Sequence, residues 1–89
     1  MVRKRVLITG HVQGVFFRDT CRRTAVRNGV GGWVRNLPDG RVEAVFEGAA
    51  DPVDRLVAWA QDGPRGARVT GVEVRDEQPE GLTAFTIRN

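Results

Sequence analysis

Residues 10–18, which read GHVQGVFFR, combine in one short stretch the residue types that anion chemistry needs. They follow the apolar run Val6-Leu7-Ile8 and precede a segment with helical spacing, so they predict a strand, a glycine-bounded loop and the first turn of a helix. Such a loop turns backbone N–H groups toward one point, where the positive end of the helix dipole adds to them. Arg18 lies just inside the helix and offers two parallel donors. The stretch therefore predicts a phosphate cradle with one arginine.

The same stretch also fits a simpler interpretation. In it, the glycines serve only a strand-to-helix turn, and Arg18 is a solvated surface residue. The start of a helix is an unfavourable place for a cation, because the helix dipole is positive there. From this stretch alone both interpretations stay open, although the position of Arg18 favours a bound anion.

The composition of the chain limits the classes of protein to which it can belong. Its 89 residues predict a single domain over 1–89 with one modest core. No apolar run approaches the roughly 20 residues of a membrane span, and the short run after the basic N-terminus is too brief for a signal peptide. A lone cysteine excludes an intrachain disulfide, so a cytoplasmic protein is expected. The net charge of +3, from 14 basic and 11 acidic residues, suits an anionic ligand.

Alternating apolar residues predict strands in this chain, and apolar residues three and four apart predict helices. The predicted elements are, in order, a strand over residues 2–9, a helix from Phe16 or Phe17 to Asn28, strands over 32–36 and 41–47, a helix opened by Asp51-Pro52 and stopped by Gly63-Pro64, a strand over 68–76 and a short strand at Phe85 and Ile87. Gly29 is expected to end the first helix in a left-handed conformation. Asp51 is expected to be the N-cap of the second helix, with Pro52 at its first position.

This order of elements, β-α-β-β-α-β with an extra strand, predicts an α+β fold. The expected architecture is a ferredoxin-like α/β sandwich, an antiparallel sheet with both helices on one face. The fold hosts many unrelated functions and does not identify one. The second strand ends at Asn36, which can reach the loop if the first two strands are adjacent or end at the same edge of the sheet.

Two motifs go further than the fold. Residues 10–18 resemble the phosphate-loop signature of the acylphosphatase family, G-x-V-Q-G-V-x-F-R. Residues 32–43, which read GWVRNLPDGRVE, resemble that family's second signature, G-W-V-x-N-x-x-D-G-x-V-E. The order of the motifs and their separation by one helix also match, and the resemblance spans nearly the whole chain.

The resemblance implies hydrolysis of acyl phosphates to a carboxylate and inorganic phosphate, without a metal or an organic cofactor. Arg18 matches the family arginine that binds the phosphoryl group, and Asn36 matches the asparagine that positions the attacking water. The family's backbone cradle corresponds to Gln13, Gly14, Val15, Phe16, Phe17 and Arg18. From spacing alone, Asn36 would be a turn-initiating asparagine. The expected partners are an acyl phosphate and inorganic phosphate; we expect a monomer that binds neither nucleic acid nor membranes.

The residue types suit this reaction. A carboxylate leaves without being protonated, so phosphoryl transfer depends on positioning and on stabilising the charge of the equatorial oxygens. An asparagine amide holds water through its donor and acceptor but cannot take a proton at neutral pH. We therefore expect a phosphate oxygen of the substrate, or bulk water, to take the proton.

Three alternative functions compete with this one. An RNA-binding module of the same fold stacks bases on strand aromatics, whereas residues 41–47 carry two glutamates and one aromatic. A metal carrier needs paired cysteines, but Cys21 is alone and is expected in the core. A third alternative is an acylphosphatase-like domain that acts on carbamoyl phosphate inside a larger maturation protein. The end of the chain at Asn89 favours the free enzyme. His11 has no assigned role.

Overall fold

A computed structural model describes all 89 residues. Its elements are, in chain order, β1 (Val2–His11), α1 (Phe17–Arg27), β2 (Gly31–Asn36), β3 (Val42–Gly48), α2 (Ala50–Asp62), β4 (Arg68–Glu77) and β5 (Phe85–Arg88). The five strands form one sheet in the order β4-β1-β3-β2-β5. The predicted ferredoxin-like α+β fold is confirmed. No helix is long and apolar enough to cross a membrane.

The core lies between the sheet and its two helices. Alternate residues of β1 and β3 face the helices, because neighbouring residues of a strand point to opposite faces. Helix α1 contributes residues of its predicted apolar face, including Cys21, and α2 adds its own stripe at helical spacing. Burial raises the pKa of the Cys21 thiol, as expected for a core residue rather than a nucleophile. The fully buried members of the core include Val6, Ile8, Cys21, Ala25, Val42, Ala44, Phe46, Val53, Leu56 and Ala60.

The sheet is mixed rather than wholly antiparallel. Three pairings are antiparallel, but β5 runs parallel to β2, with Gly32 opposite Phe85 and Arg35 opposite Arg88. The reason is topological. The chain leaves β4 at one edge of the sheet, crosses to the other edge and reverses direction. Since β4 runs opposite to β2, a strand that reverses after β4 runs with β2.

The predicted start of α2 is wrong, because it lies two residues too late in the sequence. The helix begins at Ala50, after an extended Ala49 that makes no side-chain capping bond. Asp51 is therefore inside the first turn and is not the N-cap. Pro52 is tolerated at the third helical position, because N–H groups of the first turn have no intrahelical acceptor. Gly29, in contrast, has the predicted left-handed conformation, with φ of 67°.

A buried ion pair ties the β4–β5 crossover to the face of the sheet opposite the helices. The Glu47 carboxylate accepts backbone N–H bonds from Glu80 at 3.0 Å, Gly81 at 2.6 Å and Leu82 at 2.7 Å. Arg3 donates to the same carboxylate at 3.2 Å. Burial alone would raise the pKa of Glu47, but these donors hold that pKa below its ordinary value. This carboxylate therefore fixes the path by which β5 reaches the far edge of the sheet.

Replacing this carboxylate should be costly. Glu47→Ala leaves three backbone donors without their acceptor and takes one of three carboxylate partners from the buried Arg3, which keeps Glu77 and Glu80, and loss of one partner of a buried pair costs about 3–5 kcal/mol. Urea unfolding should show that loss in the free energy of unfolding. Glu73→Ala is the matched control, because Glu73 pairs with Arg75 on the surface and such pairs contribute about 1 kcal/mol or less. Equal losses in the two variants would contradict the assigned role of Glu47.

The same face makes stability depend on pH. The pKa of Glu77 is lowered by its hydrogen bonds from Arg5 and Arg3, and that of Glu43 is lowered by Arg35 and Arg5 against the opposing effect of burial. A carboxylate with a lowered folded-state pKa stabilises the fold above its ordinary pKa of 4.5 and loses that contribution as the pH falls through the folded value. The unfolding temperature should therefore stay constant near neutral pH and should decrease once the pH is below about 4.5. An unfolding temperature that rises on acidification would contradict this.

Candidate active site

Strands β1 and β2 end at the same edge of the sheet. Both pair antiparallel with β3, which lies between them, so they run parallel to each other. Ile8 and Asn36 are both paired with Val42. Two strand spacings of about 4.8 Å place their backbones roughly 10 Å apart. The condition that the sequence left open is thus met, and the end of β2 lies beside the loop that follows β1.

The loop over residues 12–16 presents unpaired backbone donors. Gly14 and Phe16 have left-handed conformations, with φ of 75° and 62°, and Val15 lies between them. No backbone N–H group of residues 13–19 donates a hydrogen bond within the protein; the first helical bond runs from the Thr20 N–H to the Phe16 carbonyl at 3.0 Å. Left-handed residues in a short loop can turn successive N–H groups to one side and form an anion-binding concavity. The free donors of residues 13–19 fit the predicted cradle, which stays a prediction.

Phe17 anchors the start of α1 in the core. Its side chain is buried, and its ring centroid lies 5.1 Å from that of Trp59 on α2. A Cβ atom on Gly63 would come within 2.7 Å of the Phe17 ring, so the end of α2 is shaped to admit this ring. The first turn of α1 is thereby held in place below an exposed loop.

Gln13 joins the loop to the β2–β3 hairpin. Its side-chain Nε2 donates to the Leu37 carbonyl at 2.8 Å and to the Arg41 carbonyl at 3.0 Å. The Gln13 side chain therefore bonds to the hairpin, and only its backbone N–H is left for an anion. Because Leu37 directly follows Asn36, these two bonds hold the end of β2 against the loop.

A cleft of about 340 Å³ opens where these elements meet. It brings Arg18 and Asn36 together, as predicted, and it contains part of the loop. Gln13 and Val15 do not line it. The site prediction missed Val12, Asp19 and Ile87; Val12 and Asp19 adjoin the predicted residues in the sequence, whereas no sequence signal places β5 here. The lining residues are Val12, Gly14, Phe16, Phe17, Arg18, Asp19, Asn36 and Ile87.

Arg18 differs from the other sheltered arginines in having no carboxylate partner. Five arginines of the chain are buried or half-buried, and four of them form ion pairs with acidic residues. Arg18 is half-buried and forms none. Its neighbour Asp19 pairs with Arg23 at 2.9 Å instead. A sheltered guanidinium without an acceptor at a helix start is suited to a bound anion.

Asn36 carries the one buried side-chain polar atom that lacks a hydrogen-bond partner. That atom is Oδ1. Asn36 follows Val34 by two residues, so its side chain lies on the helix-covered face of the sheet, as the buried Val34 does. A buried acceptor without a donor costs about 1–3 kcal/mol. A water molecule in the cleft would relieve that cost by donating to Oδ1.

Neither the cysteine nor the histidine of the chain lies in this cleft. Cys21 is buried in the core, and His11 is an exposed residue at the end of β1. No group of three or more His, Cys, Asp or Glu side chains is placed to hold a metal ion. The chemistry available here is that of backbone donors, one guanidinium, one amide and the Asp19 carboxylate, which is paired with Arg23.

Comparisons with known proteins agree with this geometry. A family model described as acylphosphatase matches residues 4–87. The chain is 65% identical over 87 residues to an acylphosphatase of Rubrobacter xylanophilus, covering 97% of this chain and 79% of that protein. It is 56% identical over 86 residues to an acylphosphatase of Gloeobacter violaceus, covering 97% and 92%. The crystal structure of acylphosphatase from Bacillus subtilis superposes with a TM-score of 0.96 at 33% identity and full coverage of both chains.

The unpaired donors predict that inorganic phosphate binds to and stabilises the folded protein. A ligand that binds only the folded state raises its stability, and each 1 kcal/mol raises the unfolding temperature of a domain this size by about 4–8 °C. Thermal unfolding with phosphate, against chloride at equal ionic strength, should show the rise in the wild type but not in Arg18→Ala. Arg27→Ala removes an exposed arginine from the same helix. This variant should show the same rise in unfolding temperature with phosphate as the wild type. An equal rise in both variants would exclude Arg18 from the phosphate site.

Proposed function

This chain belongs to the acylphosphatase family, and from that premise we propose how its residues hydrolyse acyl phosphates. An acylphosphatase cleaves the carboxyl–phosphate bond to give a carboxylate and inorganic phosphate. One observation carries the proposal: a single cleft holds a sheltered guanidinium with no acidic partner and a buried amide oxygen with no donor. An anion and a water molecule would satisfy the two groups at once.

In this proposal the cradle binds the phosphoryl group. Backbone N–H groups of residues 13–18 surround its oxygens, and Arg18 adds two charge-assisted hydrogen bonds. Negative charge is spread over three equatorial oxygens in the transition state, so donors placed there in advance lower the barrier. The same donors hold the product phosphate, which should inhibit competitively.

Asn36 positions the nucleophile. A water molecule donates one hydrogen bond to Asn36 Oδ1 and attacks phosphorus. The new O–P bond forms as the bond from phosphorus to the acyl oxygen breaks, and the carboxylate leaves with the electron pair. The amide takes no proton, so the proton of the water passes to an oxygen of the phosphoryl group. The dianionic substrate and water thus give a carboxylate and dihydrogen phosphate, with charge conserved.

We further propose a single domain over residues 1–89 that works as a monomer in the cytoplasm, without a metal, and binds neither nucleic acid nor membranes. Glu43 and Glu47 do not repel nucleic acid from the surface, because both carboxylates are buried and paired with arginines. What supports a small-molecule partner instead is the cleft, whose volume of about 340 Å³ lies in the range of small-molecule sites. Sedimentation at assay concentration and activity in excess EDTA test the proposal; a stable dimer or loss of activity would contradict it.

Arg18 and Asn36 should be needed for turnover and not for folding. We expect Arg18→Ala to lower kcat/KM for benzoyl phosphate by at least about 10³-fold, and Asn36→Ala to lower kcat by about 10²–10³-fold. Arg18→Lys should also fail, because an ammonium cannot reproduce the planar fork. Arg27→Ala is the matched control, and thermal unfolding confirms that each variant folds. Near-normal activity of a folded variant would remove that residue from its role.

The position of attack is separately measurable. Hydrolysis in ¹⁸O-labelled water should place the label in inorganic phosphate, since the proposed water attacks phosphorus. Label in the carboxylate would instead indicate attack at the acyl carbon and would contradict the role given to Asn36.

A further inference from the structure

The mouth of the cleft carries two exposed apolar side chains that the reaction at phosphorus does not use. Four apolar residues line the cleft. Val12 and Phe17 are buried and belong to the core, whereas Phe16 is 79% exposed and Ile87 is 40% exposed. Neither exposed side chain is explained by packing, so each is available to a bound molecule.

Phe16 is unfavourable in two ways where it stands. It is the one non-glycine residue of the chain with a positive φ, a conformation that strains a bulky side chain. Its ring also lies outside the core cluster, so folding gains little from its burial. Glycine or asparagine would adopt the same backbone more easily. Strain of this kind at a ligand cleft points to a function for the side chain.

Ile87 reaches the same cleft from the other side. It is paired with Val34 across the parallel β2–β5 contact. It follows the buried Phe85 by two residues, so its side chain lies on the helix-covered face with that of Asn36. Phe16 projects from the start of α1, next to Arg18. Two separate elements therefore bring apolar surface to the opening beside the proposed phosphoryl site.

We propose that Phe16 and Ile87 form the subsite for the acyl group and make the enzyme prefer large apolar acyl groups, aromatic ones above all, to acetyl or carbamoyl phosphate. This inference rests on the proposed function, because a phosphoryl group in the cradle leaves only the cleft mouth for the rest of the substrate. An aromatic acyl group covers both side chains and removes apolar surface of both partners from water. Acetyl offers one methyl group, and the carbamoyl amide loses hydration without gaining a partner.

The ratio of kcat/KM for benzoyl phosphate to that for acetyl phosphate tests the subsite. Comparing this ratio between variants cancels the different intrinsic reactivities of the substrates. Phe16→Asn keeps a residue that tolerates the left-handed backbone and should lower the ratio by about tenfold, and Ile87→Ala should lower it by a few-fold. Val26→Asn is the control and should leave the ratio unchanged. Val26 is an apolar residue on α1 that is 59% exposed and does not line the cleft.

The outcomes separate this inference from the proposed function. If the folded wild type hydrolyses neither substrate, the proposed function fails. If it hydrolyses both and the ratio is the same in Phe16→Asn, the subsite is wrong while the proposed function stands. If Phe16→Asn slows both substrates equally and weakens inhibition by inorganic phosphate, Phe16 shapes the cradle, and its role in acyl recognition is likewise overturned. A lower ratio with unchanged phosphate inhibition supports the subsite.

Discussion

The backbone N–H groups of residues 13–19 donate to no protein atom. The rest of the molecule is arranged around this constraint. Unpaired donors at a helix start are stable only when water or an anion takes their hydrogen bonds. The fold therefore has to present this segment at the surface while holding it still. Phe17 meets the second need, because its ring is buried against Trp59 directly below the loop.

Three locally unfavourable features meet in the same cleft: a guanidinium without an acid, an amide oxygen without a donor, and a strained, exposed aromatic residue. Each would be removed easily if stability alone mattered. The opposite face of the sheet shows the contrary pattern, since Arg3, Arg5 and Glu47 are fully engaged there. Satisfied charges stabilise one face of the sheet, and the unsatisfied groups lie in the cleft on the other side.

Local patterns in the sequence were sufficient to predict most of the secondary-structure elements and two of the site residues. The glycines and apolar spacing around residues 10–18 predicted the strand, loop and helix start, and alternation in residues 41–47 predicted the strand that is β3. The resemblance of two motifs indicated Arg18 and Asn36 together. These inferences succeed because side-chain periodicity and turn chemistry act over a few residues, within the range of a sequence window.

Only the tertiary structure showed which residues from distant parts of the chain meet in the cleft. Asn36 meets the loop because β1 and β2 flank β3, and Gln13 secures that meeting through two carbonyls of the hairpin. Ile87 enters the cleft because β5 crosses to the far edge and pairs parallel with β2, which is also why the expected all-antiparallel sheet was wrong. Strand order and crossover paths depend on contacts between residues far apart in the chain. The sequence by itself therefore determined the loop and its arginine, and the order of the strands placed an amide with an unpaired oxygen and an apolar rim beside them.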